Sequence, residues 1–146
     1  MANLQNAEQQ LWRWLADRMG NTWMAQRIES TRTAPGIPDV YFSCREPDLR
    51  GWIELKSMQR WGADDQPFDP ACWKPDQRNW MQRHHGSGGN TWLAVEFREA
   101  QEVVLLPSAV LLAARVPTNG VIRRMPWTIA KRNAGAREIL DALLAV

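Results

Sequence analysis

The sequence predicts an α/β fold, a mixed central sheet flanked by helices, and three observations carry that reading. Apolar residues recur at helical spacing near the start, at Leu11, Trp12, Trp14, Leu15 and Met19, and near the end, at Ile139, Leu140, Leu143 and Leu144. The runs Val40-Tyr41-Phe42-Ser43-Cys44 and Gly51-Trp52-Ile53-Glu54-Leu55 have strand composition and are joined by turn residues that include Pro47 and Asp48. A further β-rich run, 91–97, follows a helical stretch, so helices and strands alternate along the chain.

Taken in order, residues 7–19 form an amphipathic helix stopped by Gly20-Asn21. Residues 22–28 read as a strand leading into a polar loop, 30–36, which closes with Pro35-Gly36. The strands 40–44 and 51–55 form a hairpin across the turn at 45–50. Residues 57–75 contain several Asp, Pro and Gly residues and are long for a loop, which marks the segment as functional or mobile. A helix over 76–84 starts near Pro75 and is broken by Gly86-Ser87-Gly88-Gly89. Strands follow at 91–97 and 103–106, then a short helix over 108–114 capped by Ser108, and a last helix within 134–146.

With 146 residues, 45% of them apolar, one core can be buried, and a single domain over 1–146 is expected. The formal charge of +2 is too balanced to indicate nucleic acid by itself, so that case rests on local clusters. Cys44 and Cys72 match neither a disulfide framework nor a zinc spacing and read as reduced packing residues. Residues 1–10 are polar, and no apolar run approaches the ~20 residues of a membrane span, so a soluble cytoplasmic protein without membrane contact is expected. Nine tryptophans against one tyrosine imply that some indoles meet a partner at the surface.

The chemistry concentrates in Pro38-Asp39 and, across the hairpin, Glu54-Leu55-Lys56. Strand alternation sends Glu54 and Lys56 to one face and Leu55 to the other, and the hairpin brings Asp39 toward them. A Glu and a Lys two apart are commonly a solvated strand face, and an Asp after Pro is commonly a turn residue. Here both occur in order, one hairpin apart, among apolar strand residues. Converging carboxylates favour a cation between them, and oxygen ligands suit Mg²⁺ or Mn²⁺. Asp39, Glu54 and the backbone carbonyl of Leu55 are the expected metal ligands, with Lys56 placed to stabilise charge on a phosphate or to orient a water.

Gly36-Ile37-Pro38-Asp39-Val40 with Trp52-Ile53-Glu54-Leu55-Lys56 resembles the paired motifs of PD-(D/E)XK nucleases, more closely the VRR-NUC branch and phage endonucleases of the Holliday-junction-resolvase kind. The likeness spans about 8–97; in that branch a helix-borne Gln follows the Lys, and Gln77 in Pro75-Asp76-Gln77-Arg78-Asn79-Trp80 matches it. The resemblance implies a restriction-endonuclease-like core and a metal-dependent endonuclease acting on branched DNA as a homodimer, in a bacterial or phage-infected cell. A restriction-like or repair nuclease of the same fold, or a non-catalytic nucleic-acid-binding module, are the alternatives. It also implies an upstream acid, for which Glu8 and Glu29 are the candidates, and a supporting role for Gln77, whose amide can fix a carboxylate and hold a water or phosphate oxygen.

For DNA the basic candidates are Arg27, Arg32, Arg78, Arg123, Arg124, Lys131 and Arg132, interleaved with Trp73, Trp80 and Trp127. No base-reading module is present in the sequence, which favours recognition of shape.

Overall fold

The computed structural model describes residues 4–28, 36–70 and 73–145. Six strands, β1 (Trp23–Arg27), β2 (Val40–Cys44), β3 (Leu49–Met58), β4 (Thr91–Phe97), β5 (Glu102–Pro107) and β6 (Thr128–Ala130), form one sheet in that order. All neighbours pair antiparallel except β3 and β4, which run parallel and are joined through the helix α2 (Pro75–Gly86). The mixed sheet and the β2–β3 hairpin therefore agree with the sequence expectation.

Two layers cover the sheet. On one face α1 (Leu4–Met19) presents Ala7, Leu11, Leu15 and Met19 at i+4 spacing, and α5 (Ala136–Leu144) adds Ile139, Leu140 and Leu143. They pack on Val40, Phe42, Ile53, Leu55 and Ala94. The other face is covered by Met81 of α2, Leu111 of α3 (Ser108–Leu112) and Ile122 of α4 (Asn119–Arg124), packed on Leu93, Val95 and Phe97. β4 is covered on both faces and reads as a near-continuous apolar run, a pattern that only Ile53 and Leu55 continue at the centre of β3. Glu54 and Lys56 interrupt that pattern on the α2 side.

Several elements differ from expectation for identifiable reasons. β3 runs on to Met58 because parallel pairing continues through Met58 and Phe97, which outweighs the turn-rich composition that follows. Ser108 does not cap α3: β5 passes through Pro107 straight into the helix, and the buried Ser108 hydroxyl hydrogen-bonds that of Thr91. α4 and β6 were not expected, being too short for periodicity to register. Leu144 lies exposed at the end of α5. The stretch after β3 is tied down: Phe68 N–H donates to the Pro117 carbonyl, and the Asn119 amide donates to the carbonyls of Ala63 and Gln66. Cys44 is a free buried thiol, and Cys72 lies outside the described residues. No helix among the described residues is long and apolar enough to cross a membrane.

Candidate active site

The site forms where the sheet opens. Val40 opposite Ile53 is the last β2–β3 pair, and β3 continues past it with β4 alone on its other side. In the ladder the N–H groups of Ile53 and Leu55 point toward β2, yet at Leu55 that strand has already ended. Asp39, one residue before β2, fills the gap: its Oδ2 accepts the Leu55 N–H at 2.8 Å. In extended backbone the N–H and C=O of one residue point to the same side, so the Leu55 carbonyl faces this same opening.

Glu54 and Lys56 point from the same face of β3 toward α2, and both side chains are almost fully buried, at 2% and 5% exposure. Lys56 Nζ lies 3.5 Å from Glu54 Oε1 and donates to Gln77 Oε1 at 3.1 Å. The same Gln77 oxygen accepts the Lys74 backbone N–H at 3.0 Å, so one side chain both closes the start of α2 and holds the lysine. Glu54 Oε2 is buried without any donor. Among the described residues no three His, Cys, Asp and Glu side chains form a ready metal cage, and the feature is a carboxylate pair.

Electrostatics agree with this crowding. Burial raises the pKa of Glu54 well above its ordinary value, and the Asp39 charge raises it further, against the lowering influence of Lys56. Burial also raises Asp39, opposed by the Leu55 N–H, by hydrogen bonding with the Glu54 side chain and by Lys56 and Arg27. Glu8, from α1 on the opposite layer, is raised by burial and then by Asp39, while Lys56, Arg27 and Lys74 pull it down. The folded, metal-free protein therefore binds protons more readily than the unfolded chain, so this contribution to stability is present at acidic pH and is lost as pH rises through the raised values. A divalent cation bound between these carboxylates would take the place of the proton. Thermal unfolding should accordingly show Mn²⁺ raising the Tm more at pH 8 than at pH 5; an equal rise at both would contradict the assignment.

Gly36 brings α2 against the Pro38-Asp39 turn. Its φ is +87°, and a β-carbon there would overlap the Asp76 carbonyl, 2.8 Å from the carbonyl carbon. Gly36→Ala should cost roughly 1–3 kcal/mol for the backbone alone, and more for the overlap, and should displace Gln77 from Lys56. Melting curves test this directly.

The structure thus gathers Glu8, Asp39, Glu54, Leu55, Lys56 and Gln77, with Arg27 beside them; Arg78 follows Gln77 on α2, and its guanidinium lies 4.7 Å from the Trp73 ring centre. Glu29 and Arg32 lie outside the described residues. Arg123, Arg124, Lys131 and Arg132 sit around the β6 edge, three strand spacings or roughly 14 Å from β3. There Arg123 pairs with Glu102 at 3.0 Å and Lys131 with the buried Glu96 at 2.5 Å. Trp73 and Trp127 are buried in the core, leaving Trp80 half-buried. Sequence reasoning missed Lys74 and Gly36; the Pro-Gly before Pro38-Asp39 was the available signal for Gly36.

No protein-family model and no curated protein sequence matches the chain. Among solved structures it is similar to the 1.6 Å structure of Archaeoglobus fulgidus Hjc, a Holliday junction resolvase from an archaeal hyperthermophile. The TM-score is 0.50 with 85% of this chain and 88% of that one covered, at 15% identity. At that identity the likeness establishes the fold, a restriction-endonuclease-like mixed sheet flanked by helices.

Proposed function

We propose that this chain is a metal-dependent DNA endonuclease that hydrolyses phosphodiester bonds in branched DNA. The observation that carries the proposal is the half-buried Asp39 beside the buried Glu54, one of whose carboxylate oxygens lacks any donor, next to a lysine held by Gln77. Burying such a pair is costly unless a cation or a proton joins it. The donors are all oxygen: Asp39, Glu54 and the Leu55 carbonyl. Two carboxylates plus solvent and substrate oxygens are the pattern of Mg²⁺ or Mn²⁺ rather than zinc.

Bound there, the divalent ion supplies positive charge to a phosphate oxygen and lowers the pKa of a water molecule. The chain's own residues do the rest. Asp39, anchored by the Leu55 N–H, keeps its remaining oxygen lone pairs directed at the opening. Lys56, braced between Glu54 and Gln77, is positioned to donate to the charge that develops on the phosphate during attack. Glu8 adds negative charge from the opposite layer, and Arg27 and Lys74 surround the opening with positive charge suited to a phosphate backbone.

Branched DNA is the favoured substrate class because the similar Archaeoglobus protein is a Holliday junction resolvase and because the motif order resembles the VRR-NUC branch and phage endonucleases. A four-way junction presents two equivalent strands about a twofold axis, so this reading includes a homodimer with two active sites. The test is a panel of four-way junction, flap, nicked and linear duplex DNA incubated with Mg²⁺, Mn²⁺ or chelator. Metal-dependent cutting that is strongest on branched substrates is expected; equal cutting in excess chelator would refute the reading.

A further inference from the structure

The α2 side of the sheet carries an aromatic row that the catalytic reading leaves unused. Directly opposed residues of neighbouring strands share a face, so Tyr41 and Trp52, which are register partners, lie on the same face as Glu54. Their rings meet edge-on at 5.1 Å, Trp52 meets Trp80 of α2 at 5.3 Å, and Trp80 stacks on His84 at 4.9 Å. α2 does not extend over β1 and β2, and Tyr41 is 39% exposed. Between them lies a recess of ≈ 370 Å³ bordered by Tyr41, Arg50, Trp52 and His84, and His84 also borders a second recess with Trp80 and Arg83.

Charge identifies the occupant. Arg83 is exposed and has no acidic partner among the described residues, while Arg50 is solvent-exposed and paired only with the equally exposed Asp48. Aromatic faces rimmed by arginine, with no buried carboxylate in the lining, suit a planar base attached to a phosphate backbone. Trp52 precedes Glu54 by two strand residues, so the recess lies roughly 7 Å along β3 from the catalytic opening. A base inside a duplex is stacked and paired and cannot enter; an unpaired one can.

We infer that this recess binds an unpaired nucleobase of the strand whose phosphate lies at Asp39 and Glu54. The inference rests on the nuclease reading and narrows it: the preferred substrate carries an unpaired nucleotide at or next to the cut, as in a flap, a bulge or an opened branch point.

The experiment measures binding by fluorescence anisotropy in Ca²⁺ for a bulged duplex, the same duplex with the bulged nucleotides abasic, and a fully paired duplex. Cleavage of the bulged duplex in Mg²⁺ is measured in parallel. For the wild type, removal of the base should weaken binding about tenfold. In Tyr41→Ala and His84→Ala, each at a partly exposed position, that difference should shrink toward unity, while affinity for the fully paired duplex stays near wild type. If the abasic and intact bulges bind equally, or if the two variants weaken all three DNAs alike, the recess is no base site. Should metal-dependent cutting persist in that case, the nuclease reading stands and only the base site is lost. Failure to bind or cut any of these DNAs, together with no cutting of a four-way junction or flap in Mg²⁺, overturns both.

Discussion

Replacing Lys56 by alanine should slow single-turnover cleavage about 10²–10³-fold, as removal of one preorganised donor to a developing oxyanion does, while DNA affinity in Ca²⁺ changes little. The reasoning is geometric. Lys56 Nζ is held between Glu54 and Gln77, so little reorganisation is needed when charge builds on the phosphate. An interaction that strengthens only in the transition state lowers turnover when lost and leaves ground-state binding intact. Because Lys56 is the counter-charge of the buried Glu54, the variant must also be melted, with Lys56→Met as a better-packing companion. Loss of binding with normal cutting of the bound fraction would make Lys56 a phosphate anchor instead.

Glu54→Gln should separate stability from activity. Glu54 is buried, its pKa is pushed well above the ordinary carboxylate value, and Oε2 has no donor, so its charged form is the costly one in the absence of metal. Glutamine reproduces the shape of the protonated acid and supplies donors that can face Asp39. The metal-free variant should therefore melt higher than the wild type at neutral pH, by about 2–4 °C for each kcal/mol recovered in a chain of this size. At acidic pH, where Glu54 is protonated in both states, the gain should vanish. Cleavage should fall by at least about 10³-fold, and the Mn²⁺-dependent rise in Tm should be lost. A variant less stable than the wild type at pH 8 would contradict the electrostatic account.

Much of the fold was legible because periodicity reports burial. Leu11, Leu15 and Met19 mark a helix face, and Val40-Tyr41-Phe42-Ser43-Cys44 marks a strand with one buried face. The candidate centre was legible for a different reason: Pro38-Asp39 and Glu54-Leu55-Lys56 occur in order, one hairpin apart, among apolar strand residues. What stayed hidden depends on tertiary contact. The extension of β3 to Met58 exists because β4 lies alongside, and Ser108 binds Thr91, distant in sequence, in place of capping its helix. The sequence also lists Arg123 and Lys131 among its basic residues without showing that Glu102 and Glu96 take up their charges. The aromatic row is invisible for the same reason, since Tyr41, Trp52, Trp80 and His84 meet only after β2 pairs with β3 and α2 packs against Trp52.

The central claim is that Asp39 and Glu54 form a metal-dependent centre for phosphodiester cleavage, and single-turnover cleavage of a labelled branched DNA tests it most directly. Wild type and Asp39→Asn are compared in Mn²⁺ and in excess chelator, with folding of both confirmed by melting curves. Cutting by the wild type in Mn²⁺ alone, with Asp39→Asn slowed at least about 10³-fold, is the predicted result. Cutting by the wild type in chelator, or by Asp39→Asn at the wild-type rate, would contradict it.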